Sequence, residues 1–248
     1  MTDHVLVSQA GGVCELRLNR PEKRNAITIA MYDALWDAVV RAEADDSVRA
    51  ILLSGAGASF TAGNDLQDFV SQPQSGEHGP VRFVRLLPKI HKVLIAAVHG
   101  ATVGIGVTML LHCDLVLAAR STRLSMPFVK LGLVPEAASS LLLPRLIGHQ
   151  RAAELLLLGV PIDSATALNF GLVNRVVEDD VLLEEARTLA RSVAEQPPSA
   201  VRATKQLLKS ETGMSARIEE ELQAFQERLG SAEFKHAVEA FFGKNRPG

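Results

Sequence analysis

Three apolar runs constrain this chain more than any other feature. They are "AILLS" within "VRAILLSGAG", "VLIAAV" before His99, and "LVLAA" at the end of "GIGVTMLLHCDLVLAA". A strand with one wet face alternates apolar and polar residues, whereas a continuous run needs cover on both faces. Strands of that kind are covered by helices. Each run here is joined to the next by a glycine-bearing turn and a stretch of helical spacing. Recurrence of strand, turn, helix and strand points to an α/β core.

The flanking segments fit this plan. "HVLVSQAGGVCELRLNRP" alternates at Val5 and Val7, then at Cys14, Leu16 and Leu18, and reads as two strands about a Gly-Gly turn. "NAITIAMYDALWDAVVRAEAD" carries Ile29, Leu35, Trp36, Val39 and Val40 at helical spacing. Residues 71–79 are polar and rich in Gly and Pro, as in a loop. Beyond Pro144 the pattern is helical, with "LVNRVV" as the one further strand. No linker rich in Pro, Gly or Ser separates the halves. A single domain is expected, with a core over residues 1–190 and a helical extension over 191–248.

Composition excludes several function classes. A net charge of −2 with scattered basic residues argues against nucleic acid, which needs clustered Lys and Arg. No apolar run approaches a membrane span, and "MTDHVLVSQAGG" lacks the pattern of a signal peptide. A cytoplasmic protein is expected. Cys14 and Cys113 have neither CxxC spacing nor a His at a ligand interval, so buried, reduced thiols are expected and no metal site.

The usual catalytic signatures are missing: there is no GxSxG elbow, no GxxxxGK[ST] loop and no HExxH helix. "GATVGIGVT" lacks the last glycine of a dinucleotide fingerprint. His99 and His112 flank apolar segments and read as core or surface residues. Two turns remain, "GAGASFTAGNDLQDF" and "HGATVGIGVTMLL", each directly after a buried strand. Either one alone is explained by tight turning. Side by side, they could aim two backbone N–H groups at one carbonyl oxygen, as an oxyanion hole does. A single acid, Glu136, stands among small and apolar residues in "LGLVPEAASS". Its position after Pro135 reads locally as the first turn of a helix.

"LNRPEKRNAI", "SFTAGNDLQDF", "AAVHGATVGIGVTMLLHCDLVLAA", "LGLVPEAASSLLLPRLIG" and "FGLVNRVV" occur in one order along the whole chain. In that order they resemble the crotonase, or enoyl-CoA hydratase/isomerase, family. The resemblance implies an α/β, crotonase-like spiral of ββα repeats with a helical C-terminal oligomerisation region, forming a homotrimer or hexamer. It implies an acyl-CoA thioester as substrate, with no separate cofactor. The enolate would be held by the amides of Asn64 and Ile105. Contacts to the substrate map to Arg24, Ala26, Ala62, Gly63, Asp65, Leu66, Gly104, Thr108, Phe128 and Leu133. Lys244, in "FFGKNRP", maps to a segment that reaches the CoA phosphates. Asp65 has two readings, a second acid near the site or, the one favoured by its residue type, a cap for the following helix or a support for its loop.

The chain departs from the family's hydratases at both of their acids. Thr108 and Phe128 occupy the matching places, and neither is a general base at neutral pH. "FVKLGLVPEAASS" and "AGNDLQDF" instead resemble the Δ3,Δ2-enoyl-CoA isomerase subgroup, in which one glutamate moves the proton. Glu136 is the matching residue. Leu133, Val134, Ala137 and Ala138 around it are apolar, which is expected to raise its pKa by desolvation. A hydratase, another acyl-CoA enzyme of this fold and a silent acyl-CoA-binding protein are the alternatives.

Overall fold

The computed structural model describes residues 3–71, 79–209 and 213–244, and the loop expected over residues 71–79 falls almost wholly outside them. Among the described residues the strands are β1 (Val5–Ala10), β2 (Val13–Leu18), β3 (Ala50–Gly55), β4 (Val93–Val98), β5 (Ala101–Val103), β6 (Leu115–Ala119), β7 (Arg123–Ser125), β8 (Ile162–Asp163) and β9 (Arg175–Val177). The larger sheet runs β1-β2-β3-β4-β6-β9, and the smaller runs β5-β7-β8. β1 pairs antiparallel with β2 through the Gly11-Gly12 turn, and from β2 to β9 every pairing in the larger sheet is parallel.

The apolar runs are the middle of this sheet. Along β3, Ala50 and Leu52 point to one face, where Leu182, Ala186 and Ala190 of the helix Leu182–Ala194 cover them. Ile51 and Leu53 point to the other face, into the main core with Met31, Tyr32, Leu35 and Val39 of the helix Ile29–Ala44. Each fully buried Leu or Ile contributes about 1.5–3 kcal/mol. A polar residue at any of these positions would lose that and add a desolvation cost.

The repeat is a long strand in the larger sheet, a short one in the smaller sheet, then a helix. β4 is followed by β5 and the helix Ile105–Thr108; β6 is followed by β7 and, later, the helix Ser139–Ile147. After β3 an isolated bridge, Thr61 to Thr102, takes the place of the short strand, and the helix Leu66–Ser71 follows. The second strand of each ββα repeat lies in the smaller sheet, which the residue pattern by itself did not mark. Its strands are two or three residues long, too short to show a period.

Glu136 does not open a helix, contrary to the local reading. The helix begins at Ser139, with Ala138 as its N-cap residue. Ala137 and Ala138 take left-handed φ values of 58° and 55° and turn the chain between the acid and the helix.

Candidate active site

The two glycine turns lie side by side. Thr61 N–H donates to Ala101 O at 3.1 Å, and Val103 N–H donates to Thr61 O at 3.0 Å. Three residues beyond this bridge on either strand stand Asn64 and Ile105. Gly63, with φ of 88°, makes the approach feasible, since a Cβ there would lie 2.9 Å from the Val103 carbonyl oxygen. Ile105 is the first residue of the helix Ile105–Thr108, so its N–H has no intrahelical acceptor. Among the described residues, neither the Asn64 nor the Ile105 amide donates a hydrogen bond.

A second set of bonds ties the first turn to the loop after β2. Ile27 N–H donates to Gly63 O at 2.8 Å, Asp65 N–H to Ile27 O at 3.0 Å, and Ala62 N–H to Arg24 O at 2.8 Å. Asn25, fully buried in the left-handed region, donates to Ala56 O and Ser59 O at 2.8 and 2.7 Å. Arg20 reaches Asp65 at 2.5 Å and Ala26 O at 3.1 Å. Burial pushes the Asp65 carboxyl up, but Arg20 and the amides of Asp68 and Gln67 hold it below the usual carboxylate range. Asp65 accepts from Gln67 and Asp68 at the start of the next helix, so it both caps and ties down the loop. Arg24, exposed, and Ala26, half-buried, thus sit on a loop bonded to the Asn64 strand.

Glu136 arrives from the opposite side. It is 6 % exposed, and no cation pairs with it among the described residues. Thr108 Oγ1 donates to its Oε1 at 3.4 Å. Thr108 lies one turn after Ile105 on the same helix, so the two share a face. On the other flank, the Tyr32 hydroxyl donates to Asn64 Oδ1, and the Glu136 charge adds to burial in raising the Tyr32 pKa. The Phe128 ring lies 4.0 Å from where a Gly104 Cβ would be. Phe128 and Leu133 are both buried. Asn64, Tyr32, Glu136, Thr108 and Ile105 therefore form one connected group.

Burial pushes the Glu136 carboxyl up to about 8; the like charge of Glu221 adds to this and the Thr108 hydroxyl opposes it. The direction is the one expected from its apolar neighbours. A left-handed alanine costs roughly 1–2 kcal/mol, so the turn after Glu136 needs support. His112 supplies it from one side, with Nε2 2.7 Å from Ala137 O. Burial lowers the His112 pKa to about 4, so the ring is neutral at pH 7. Its proton lies on Nε2, the atom facing the carbonyl.

Of the residues expected at the site, Asn64, Asp65, Gly63, Ala62, Gly104, Ile105, Thr108, Phe128, Leu133 and Glu136 come together, with Arg24 and Ala26 on the adjoining loop and Leu66 opening the next helix. The Lys244 side chain lies outside what is described. Tyr32, Arg20, His112 and Glu221 were not singled out as site residues. Tyr32 reads as one more core position of an amphipathic helix, and no local signal marks its hydroxyl. Glu221 faces its own helix's buried side, between Ile218 and Phe225, and that mismatch was the available clue.

The fold is α/β, and its buried Glu136 carboxyl sits beside Thr108, one turn from the Ile105 amide. A family model described as enoyl-CoA hydratase/isomerase matches residues 8–248. The 1,2-epoxyphenylacetyl-CoA isomerase of Escherichia coli K12 is 37 % identical over 257 aligned positions, covering 100 % of this chain and 98 % of that protein. Enoyl-CoA delta isomerase 2 of Rattus norvegicus is 34 % identical over 96 % of this chain and 63 % of its own length. A solved enoyl-CoA hydratase/isomerase from Pseudoalteromonas atlantica T6c superposes with a TM-score of 0.94 at 44 % identity, over 99 % of both chains. The chain belongs to the enoyl-CoA hydratase/isomerase family and has its crotonase fold. It is an enzyme of that family. Among the described residues no helix is long and apolar enough to cross a membrane, and no three His, Cys, Asp or Glu side chains group as a metal site.

Proposed function

We propose that the protein moves the double bond of a 3-enoyl-CoA to give the 2-enoyl-CoA, with Glu136 carrying the proton. The observation behind this reading is a buried Glu136 with no cation paired to it among the described residues, bonded to Thr108 one turn from the Ile105 amide. The Glu136 carboxylate removes a proton from C2, and the electron pair spreads onto the thioester oxygen. The Asn64 and Ile105 amides hold that oxygen. The same carboxyl group then returns the proton at C4, leaving the double bond between C2 and C3. Water and redox chemistry are not consumed.

Magnitudes support this division. A thioester α-proton is far less acidic than a carboxylic acid, so enolate stabilisation carries most of the barrier reduction. One oxyanion donor is worth roughly 3–4 kcal/mol, and a positioned base about a hundred- to ten-thousand-fold. A carboxyl raised to about 8 is a stronger base than an exposed one once ionised. Substrate contacts would come from the loop bearing Arg24 and Ala26, from Ala62 and Gly63, and from Phe128 and Leu133, with Lys244 at the CoA phosphates. Assembly as a trimer or hexamer is part of the proposal; Leu207 and Leu208, 88 % and 81 % exposed, favour a covering subunit.

A second reading keeps the Glu136 base but takes a different acyl group. The 37 % identity to the Escherichia coli 1,2-epoxyphenylacetyl-CoA isomerase favours it. The test supplies trans-3-hexenoyl-CoA, 1,2-epoxyphenylacetyl-CoA and crotonyl-CoA separately. Isomerisation of the first supports the leading reading. Turnover of the second alone supports the other. Rapid hydration of crotonyl-CoA contradicts both, and binding without turnover of any marks a silent acyl-CoA-binding protein.

A further inference from the structure

The turn that carries Glu136 is held by a second buried acid. Glu221, on the helix Met214–Leu229, is 6 % exposed. Its Oε1 accepts from Ser140 N–H at 2.9 Å and from Ser140 Oγ at 2.6 Å. Its Oε2 is buried with no hydrogen-bond partner among the described residues. Arg217, one turn earlier, donates to Ser140 Oγ at 3.3 Å and pairs with Glu220 at 3.0 Å instead of Glu221. Ser140, the fourth residue after Glu136, is thus anchored to a side chain 81 positions further along the sequence. Between Glu136 and Ser140 lie the two left-handed alanines.

We propose that Glu221 is a positioning residue for Glu136: through Ser140 it fixes the turn that aims the Glu136 carboxyl. A second buried carboxylate at this turn also opposes ionisation of the first. This rests on Glu136 being the base. An acceptor alone would satisfy Ser140, and a glutamine would serve. A buried carboxylate with an unsatisfied oxygen is costly unless its charge has a use. The groups facing Glu136 are Tyr32 from the helix Ile29–Ala44, Thr108 from the helix Ile105–Thr108, and Glu221. Neutral His112 bonds the intervening Ala137 carbonyl. Of these, Glu221 is the group whose like charge raises Glu136. Burial holds Glu221 itself above the usual carboxylate range, although the bonds from Ser140 and the Arg217 charge oppose the rise.

The test is Glu221→Gln, which keeps an oxygen for Ser140 and removes the charge. Two readouts are taken: the titration of the Glu136 carboxyl by 13C NMR, assigned by its loss in Glu136→Gln, and the pH dependence of kcat on 3-hexenoyl-CoA. The Glu136 midpoint is expected to fall from about 8 by on the order of one pH unit. The acid limb of kcat should move with it, with KM within about twofold. Glu221→Ala, which also strips Ser140 of its acceptor, should lower kcat on the order of a hundredfold through misplacement of the base. A Glu136 midpoint unchanged in Glu221→Gln overturns the proposal. A midpoint that falls while the rate profile stays put upholds it and overturns the assignment of Glu136 as base. Should Glu221→Gln not fold, the wild-type titration decides. A second, smaller inflection of the Glu136 signal where Glu221 ionises supports the coupling, and a single inflection overturns it.

Discussion

Thr108 donates to Glu136 across 3.4 Å, one turn of helix beyond Ile105. The contact stabilises the ionised carboxylate, because a hydroxyl bonded to the charged form lowers the pKa. Thr108→Val keeps the shape and removes that donor. The acid limb of the kcat profile should then shift to higher pH by less than about one unit, since the bond is long. Turnover at pH 7 should fall by no more than about tenfold. A loss of a thousandfold would mean that Thr108 takes part in the proton transfer itself.

Burial of Glu136 also predicts a pH-dependent stability. Between pH 4.5 and about 8 the folded chain keeps a proton that the unfolded chain has released. Each pH unit in that window therefore costs the native state about 1.4 kcal/mol from this group, on the order of a few kcal/mol in all. Its stabilising effect is full below pH 4.5 and lost as pH rises through about 8. His112 acts with the opposite sign: its folded pKa of about 4 lies below 6.5, so its contribution grows with pH across that range. A difference measurement separates the two. Denaturant melts of Glu136→Gln and wild type should diverge in the variant's favour from pH 5 to 8 and run parallel above that. A constant gap would show that Glu136 is not desolvated in the folded state.

Gly63 tests the pairing of the two turns. With φ of 88° and a Cβ site 2.9 Å from the Val103 carbonyl oxygen, Gly63→Ala must strain the backbone and push the Asn64 strand outward. A stability loss of about 1–3 kcal/mol is expected, with kcat lowered at least tenfold. Gly11→Ala is the control. Its φ is also positive, 56°, but nothing lies within 4 Å of its Cβ site, far away in the β1–β2 turn. It should carry the backbone strain alone and leave turnover unchanged. Melting curves and kcat on the same preparations check both.

The parts of the fold legible in the sequence are those imposed by local pattern. Leu52 and Ile51 declare a doubly covered strand because both faces of β3 meet apolar layers. Asp65 caps a helix by a rule written in its own neighbourhood. The turn at Ala137 and Ala138 was illegible, because alanine alone prefers a right-handed helix. Partners at His112 and Glu221 impose the other conformation from distant segments. Likewise Tyr32 belongs by spacing to the core, and only the packing of its helix brings the hydroxyl to Asn64, 32 residues on. The site was legible at its motifs and illegible at the groups that hold those motifs in place.

The central claim is that Glu136 moves the proton, and the direct measurement is kcat for trans-3-hexenoyl-CoA in wild type and Glu136→Gln. Glutamine fills the same space and can still accept from Thr108, so melting at pH 5 should change little. Wild type should isomerise trans-3-hexenoyl-CoA, and the variant should lose about a hundred- to ten-thousand-fold in rate. Isomerisation by Glu136→Gln at the wild-type rate would contradict the central claim.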